Sequence, residues 1–255
     1  MSAYISTFIV DDWYDSPDQI RKHAIKWLEN SGTEGKSKTS LDEMRLYGNK
    51  WEPYPGWRCK AAVGNMVWNY DMISRVVGRK INPKRWLFIP STEVVTGDMQ
   101  SYLQYDYNEN TMIVRDTDIA FSHDGISNGT FACTFENSVW RAHTDSPNSY
   151  AAIVYLTPDA PIDTGTSFYR HRETGITELG SNTDAIDKED HYDPSLWEET
   201  DRIANYYNRC VIFDASRYHC ASRYFGQPSK IRSNFDKGRL FQVFFFDLVD
   251  EEEEA

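Results

Sequence analysis

At 255 residues, with 40% hydrophobic and 15% aromatic side chains, the sequence has enough apolar material for a packed core rather than a disordered chain. Its formal charge of −12, of which the terminal run 250–254 carries five units and leaves −7, argues against broad attraction to nucleic acid. No apolar run approaches the roughly 20 residues of a membrane span, and no basic stretch precedes an apolar one at the N-terminus, so a cytoplasmic protein without a membrane partner is expected.

Residues 4–10 are β-rich. Ser16-Pro17-Asp18-Gln19 then opens a helix, with proline at the first helical position and Ser16 and Gln19 at the spacing of a capping box. Ile20, Ala24, Trp27 and Leu28 recur at helical spacing and are expected to face the core. Residues 32–40 read as a polar loop, and 51–57 hold too many prolines for regular structure and read as an ordered aromatic turn. A second helix is expected within 61–77, with Val63, Met66, Val67, Tyr70, Met72 and Ile73 as candidate core positions. Arg75, Arg79, Lys80, Lys84 and Arg85 form a local basic cluster that fits a solvated helix end as well as a phosphate-binding patch.

Beyond residue 85 the pattern changes to short β-rich runs broken by Asn, Asp, Gly and Pro. They fall at 86–89, 99–107, 111–114, 130–135, 151–156, 167–169, 210–213 and 240–246. The polar stretch 173–208 is too long for a turn and reads as a lid, a binding loop or a surface embellishment. Asp193-Pro194 followed by Leu196, Trp197, Ile203 and Tyr207 predicts a short capped helix near its end. With no repeat and no linker, the expectation is a single domain over 1–255 of β-rich α+β class. It comprises a helical flank at 1–85, a β-sandwich or small barrel at 86–249 carrying the 173–208 insertion, and an acidic tail at 250–255. Cys59, Cys133, Cys210 and Cys220 show no CxxC spacing, so neither a zinc ribbon nor a redox motif is indicated.

The chemistry concentrates in His143-Thr144-Asp145 and, after a long gap, His219. One residue between histidine and carboxylate puts both side chains on the same face of an extended segment, roughly 7 Å apart at the Cα. A distant β-associated histidine, read as ending the segment 209–219, completes two imidazoles and one carboxylate. That facial set leaves other coordination positions open and suits a non-haem iron oxygenase.

Four segments, His143-Thr144-Asp145, Val154-Tyr155-Leu156-Thr157, Gly165-Thr166-Ser167-Phe168, and His219 followed by the strand opening at Arg239, stand in the order used by one superfamily. Over roughly 130–247 the sequence resembles the Fe(II)/2-oxoglutarate-dependent oxygenases, in particular their prolyl-hydroxylase-like branch. Phe8-Ile9-Val10-Asp11-Asp12-Trp13-Tyr14 and Tyr54-Pro55-Gly56-Trp57-Arg58 are also similar to a group of such proteins in marine bacteria and phages. The resemblance implies a double-stranded β-helix core (jelly-roll or cupin-like) with the N-terminal helices packed on it. It implies Fe(II) held by His143, Asp145 and His219, with 2-oxoglutarate as cosubstrate and O₂ as oxidant. Arg239 would take the far carboxylate of 2-oxoglutarate through its planar fork, with the Tyr155 hydroxyl beside it. Arg239 lies farther from His219 than is usual in the family, so Arg223 and Arg232 are rivals for that role.

The function so implied is a hydroxylase coupling oxoglutarate decarboxylation to C–H oxidation of a small molecule, a protein side chain or a nucleobase, the acidity of the chain disfavouring unassisted duplex binding. If the gene belongs to a phage, its compartment would be the host cytoplasm. An intact Asp145 favours hydroxylation or demethylation over halogenation. Two other readings keep the fold: a cupin-like metalloprotein that uses no oxoacid, and a non-catalytic interaction module. His23, His171, His191 and the adjacent pair His123-Asp124 have no companion at ligand spacing and are read as packed or surface groups.

Overall fold

The computed structural model describes residues 7–31, 33–34, 56–59, 63–82, 86, 103–106, 111–114, 128–145, 148–180, 185–227 and 234–249. Helix α1 spans Pro17–Ser31 and helix α2 spans Val63–Val77, as the apolar spacing predicts. The Ser16 carbonyl accepts the backbone N–H of Gln19 and Ile20 and so opens α1. Ala24 and Leu28 are fully buried, and Ile20 and Trp27 pack against the same cluster. On α2, Met66 and Ile73 are buried, flanked by Val67, Tyr70 and Met72.

The strands are β1 Thr7–Val10, β2 Thr33–Glu34, β3 Trp57–Cys59, β4 Leu103–Asp106, β5 Thr111–Val114 and β6 Phe131–Thr134. They continue with β7 Tyr150–Tyr155, β8 Thr166–His171, β9 Trp197–Ile203, β10 Cys210–Asp214, β11 His219–Ala221 and β12 Arg239–Phe246. Among the described residues they form a seven-stranded sheet in the order β1-β10-β7-β12-β6-β3-β2 and a three-stranded sheet in the order β11-β8-β9. Strands β4 and β5 pair as a separate two-stranded sheet. The named strand pairs are antiparallel throughout.

The central strands of the large sheet are apolar at nearly every position because both faces are covered. Along β12, Leu240, Phe244 and Phe246 join the cluster shared with the helices, while Phe241, Val243 and Phe245 face the space between the sheets. Strands β7 and β10 divide the same way, with Ile153, Tyr155, Val211 and Phe213 turned inward. A buried polar network ties α2 to β12: the Tyr14 hydroxyl lies 2.6 Å from Gln242 Oε1, and Asn69 Nδ2 donates to that hydroxyl at 2.9 Å. Four free cysteines are all buried, in keeping with reduced thiols. No helix among the described residues is long and apolar enough to cross a membrane.

Several expectations are corrected. Thr33 and Glu34, placed in a loop, pair as β2 with β3, and Trp57, placed in a turn, opens β3. Strands β1, β2 and β3 therefore add short segments of the expected helical flank to the large sheet. Trp86, expected in a strand, is helical: it donates its N–H to the carbonyl of Asn82, and its ring stacks in the core against Phe244. The polar stretch 173–208 contains β9, which pairs with β8. The short helix expected there is a single 3₁₀ turn at Pro194–Leu196, capped by Asp193 accepting from the Ser195 N–H, and then the chain extends. Strand β9 (WEETDRI) buries only its end residues Trp197 and Ile203, so it carries no alternating apolar signal. Lys84, Arg85, His123, Asp124, Arg232 and the tail 250–255 lie outside the described residues.

Candidate metal centre

His143 and His219 are brought together by backbone register. They form an antiparallel bridge in which each N–H donates to the other's carbonyl, at 3.0 and 2.8 Å. In such a pair the Cα atoms stand about 5.5 Å apart with both side chains on one face. Their ring centroids are 4.5 Å apart. His143 is a lone bridge residue, and His219 begins β11 after a turn instead of ending the strand before it. The Asp145 N–H donates to the Ala215 carbonyl at 2.8 Å, so the loop between β10 and β11 holds the carboxylate in place.

Each imidazole is oriented by the carbonyl two residues upstream. His143 Nδ1 lies 3.0 Å from the Arg141 carbonyl and His219 Nδ1 lies 2.8 Å from the Arg217 carbonyl. A carbonyl can only accept, so both Nδ1 atoms carry a proton, and in the neutral form of each ring Nε2 presents its lone pair, while in the protonated form it donates to Asp145. Nε2 of His219 is 3.2 Å from Asp145 Oδ2, and Nε2 of His143 is 3.8 Å from Oδ1. The three ligand atoms all lie within 4.8 Å of one another, and no other group of three His, Cys, Asp or Glu does so among the described residues. Two ligands about 2.1 Å from a metal and at right angles to each other would be roughly 3 Å apart; the His219–Asp145 separation of 3.2 Å already matches this, and His143 has to close in to complete the set.

The electrostatics suit a cation. Burial, and then the charge of His219, pushes His143 down to about 4, against the pull of Asp145. Burial alone would raise the Asp145 carboxyl, but the charge and hydrogen bond of His219, with His143 and Arg58 adding to them, hold it below the ordinary carboxylate value. A neutral imidazole and an ionised carboxylate are the forms that bind metal. The His143 and Asp145 side chains are 28% and 19% exposed and that of His219 only 8%, so the set opens to solvent on the His143–Asp145 side.

Arg239 and Tyr155 sit farther along the same interior. Arg239 is buried at 3% exposure, on the inner face of β12 with Phe241. Its Nε and one Nη donate to the carbonyls of Thr164 and Gly165, at 2.9 and 3.0 Å. Among the described residues no carboxylate lies within ion-pair distance of it. The Tyr155 hydroxyl is 2.8 Å from Thr166 Oγ1, and its ring centroid is 5.4 Å from the Arg239 guanidinium carbon. Gly165 has to be glycine, because a Cβ there would stand 1.8 Å from the Ile203 carbonyl oxygen. Since His219 pairs with Phe168 and Ala221 with Thr166, the Thr166–Tyr155–Arg239 group lies two strand positions from the histidines, roughly 7 Å along β8. Arg223, one of the rivals, is exposed and paired with Asp163.

The other histidines lie apart from this centre. His171 is buried on the opposite face of the small sheet with Trp197, and His23 stacks beside Trp27 on α1. His191 does touch the ligand segment: its Nδ1 is 2.9 Å from the Ala142 carbonyl, and its own carbonyl accepts the Ala142 N–H at 2.9 Å. Sequence reasoning missed this clamp, the carbonyls of Arg141 and Arg217, and Arg58, which sits on the inner face opposite Ala132. Backbone carbonyls leave no trace in residue type, and a lone histidine in a polar stretch gives no sign of its partner.

Comparison with known proteins adds a family and two outlines. A family of unknown function (DUF6445) matches residues 132–246, a span that contains all three ligands, Tyr155 and Arg239 but less than half of the chain. No curated protein matches the sequence. A prolyl 4-hydroxylase from Phytophthora capsici is 11% identical with a TM-score of 0.32, covering 97% of this chain and 69% of that one. The Fe(II)/(alpha)ketoglutarate-dependent dioxygenase TqaL is 12% identical with a TM-score of 0.29, covering 94% and 91%. Likeness at that level bears on neither fold nor activity. The part of the chain that builds the His–Asp–His set is similar to a family whose function is unknown.

Proposed function

We propose that this protein is a non-haem Fe(II)- and 2-oxoglutarate-dependent oxygenase, a hydroxylase acting on a small molecule or a protein side chain in the cytoplasm. The observation that carries the reading is the convergence of His143 Nε2, His219 Nε2 and an Asp145 carboxylate oxygen within 4.8 Å, with both Nδ1 atoms already engaged. Two imidazoles and one carboxylate on one side are the donor set of such iron sites. The two sheets around a shared apolar interior are read as the halves of a double-stranded β-helix.

Bound Fe(II), with O₂ and 2-oxoglutarate, supplies the oxidising power that splits the oxoacid to succinate and CO₂ and hydroxylates a C–H bond. The residues of the chain have more modest tasks. His143, Asp145 and His219 hold the ion from one side. Arg239, a buried cation held by two backbone carbonyls beside the Tyr155 hydroxyl and in no ion pair among the described residues, is suited to the distal carboxylate of 2-oxoglutarate. Tyr155 and Thr166 offer hydroxyls beside it. Phe168, Phe213 and Phe241 shield the interior from water, which strengthens each charged contact within.

The test is iron uptake and succinate formation by the full chain. Wild type is expected to bind one Fe(II) and to convert 2-oxoglutarate, and His143→Ala is expected to lose both. A wild type that takes up no iron defeats the reading. Iron uptake without any consumption of 2-oxoglutarate would point instead to a metalloprotein that does not use the oxoacid.

A further inference from the structure

Arg217 plays no part in the reading above except through its backbone. It lies in the turn between β10 and β11, and its guanidinium carbon stands 3.8 Å over the ring of Phe168. Phe168 is the register partner of His219, and their ring centroids are 6.3 Å apart. One Nη of Arg217 donates to Thr7 Oγ1 at 3.1 Å. Thr7 stands opposite Phe213 in the β1–β10 pair, and Phe213 belongs to the inter-sheet cluster with its ring 4.8 Å from that of His219. Directly opposed residues of an antiparallel pair share a face, so the Thr7 hydroxyl also points between the sheets. The cation therefore stands at the mouth of the interior, between the edge strand β1 and β8, one ring away from a candidate metal ligand.

Glu178 stands opposite Arg217 across an isolated β-bridge, yet among the described residues the charge of Arg217 has no ion-pair partner. Arg170, Arg202, Arg209 and Arg223 pair with Glu198, Glu199, Asp11 and Asp163. Among the described residues no carboxylate comes within ion-pair distance of Arg217, although the sequence has 39 acidic against 27 basic residues. An aromatic face and one hydroxyl orient a guanidinium without neutralising it, and most of its five donors stay available. A planar, always-charged fork at a partly buried position matches a carboxylate in two parallel hydrogen bonds.

We propose that Arg217, assisted by Thr7, anchors the carboxylate of the prime substrate, and that this substrate is a small organic acid. This rests on the oxygenase reading of His143, Asp145 and His219. It is separate from the role given to Arg239, whose donors point to the carbonyls of Thr164 and Gly165, ahead of Thr166 on β8, whereas Arg217 stands over Phe168. Since only the Phe168 ring separates the anchor from His219, the carbon to be oxidised lies a few bonds from the carboxylate.

Thermal unfolding of the full chain with Mn(II) and saturating 2-oxoglutarate tests this. The probes are the free amino acids and short linear monocarboxylic acids, each beside its primary amide. At least one acid is expected to raise Tm where its amide does not. Arg217→Gln should raise the half-saturating concentration of that acid about tenfold or more, as the loss of a charge-assisted hydrogen bond implies. Arg217→Lys should recover part of the affinity. Thr7→Val, a milder change at an edge strand, should weaken binding severalfold and serves as the test if Arg217→Gln does not fold. Acids and amides that act alike, or no probe that shifts wild type, or full discrimination in these variants, would overturn the proposal. A wild type whose Tm ignores Mn(II) sinks the metal-site reading first, and the substrate anchor with it.

Discussion

Two groups of imidazole and carboxylate occupy opposite faces of the three-stranded sheet. On the inner face, His143, Asp145 and His219 converge, while on the outer face His171, Asp190 and His191 lie around Trp197. Residue types are the same, yet the geometries are unlike. In the inner group, a reciprocal backbone pair sets the spacing and two carbonyls fix the rings, so both Nε2 atoms aim at Asp145. In the outer group, His171 Nδ1 is 3.0 Å from Thr174 Oγ1, its Nε2 is 3.7 Å from Asp190, and His191 Nδ1 is turned to the Ala142 carbonyl. A ligand set is thus defined by where lone pairs point, and composition alone does not distinguish the two groups.

The sharpest way to break this comparison is to delete one histidine from each group. His219→Ala is expected to abolish stoichiometric Fe(II) or Mn(II) binding, measured by metal analysis after gel filtration. His171→Ala, although it removes a buried ring and lowers Tm, is expected to leave the folded protein binding one ion. Equal metal loss in both variants would mean that the inner group is not the site.

Next in size is Arg239→Ala. Losing charge-assisted hydrogen bonds worth about 1.5–3 kcal/mol is expected to raise the 2-oxoglutarate concentration needed for half-maximal turnover by roughly 10- to 100-fold, with metal binding retained. A variant with an unaltered requirement would remove Arg239 from the role.

A smaller effect separates the groups by pH. His143 is held down at about 4 in the folded protein, whereas an unfolded imidazole titrates near about 6.5. Between those values the unfolded chain binds the proton and the folded one does not, so stability of the metal-free protein falls as pH drops through that window. Asp145, also held low, contributes stability above its ordinary carboxylate value that is lost as pH falls further. Chelator-treated wild type should therefore lose Tm on acidification from neutrality, and His143→Gln should flatten the upper part of that curve. Parallel curves would contradict the assignment. The smallest change belongs to the outer group: Trp197→Phe removes the indole donor to the Asp190 carbonyl, 2.8 Å away, and should cost about 1 kcal/mol in denaturant unfolding without altering metal binding.

Much of this was readable in the order of residues. Both helices follow from apolar spacing, because a helix writes its buried face into residues three and four apart. The central strands β7, β10 and β12 read as apolar runs, because both their faces are covered. The triplet at 143–145 and His219 were recognisable as donors by type and by β-context. The rest was illegible for particular reasons. Strand β9 presents Glu198, Glu199, Asp201 and Arg202 in succession, and its pairing with β8 leaves no local pattern. His191 and Arg217 look ordinary until the loops that carry them are laid beside Ala142 and Phe168.

The sequence by itself determined which segments bury apolar faces and which side chains are able to bind a metal, since both properties are written in residue type and short-range spacing. Only the tertiary structure decided which histidines meet, which ring nitrogen each one turns outward, and which arginines pair with a carboxylate among the described residues. Those outcomes depend on backbone hydrogen bonds between residues dozens of positions apart, such as the exchange between His143 and His219, and no local pattern encodes them.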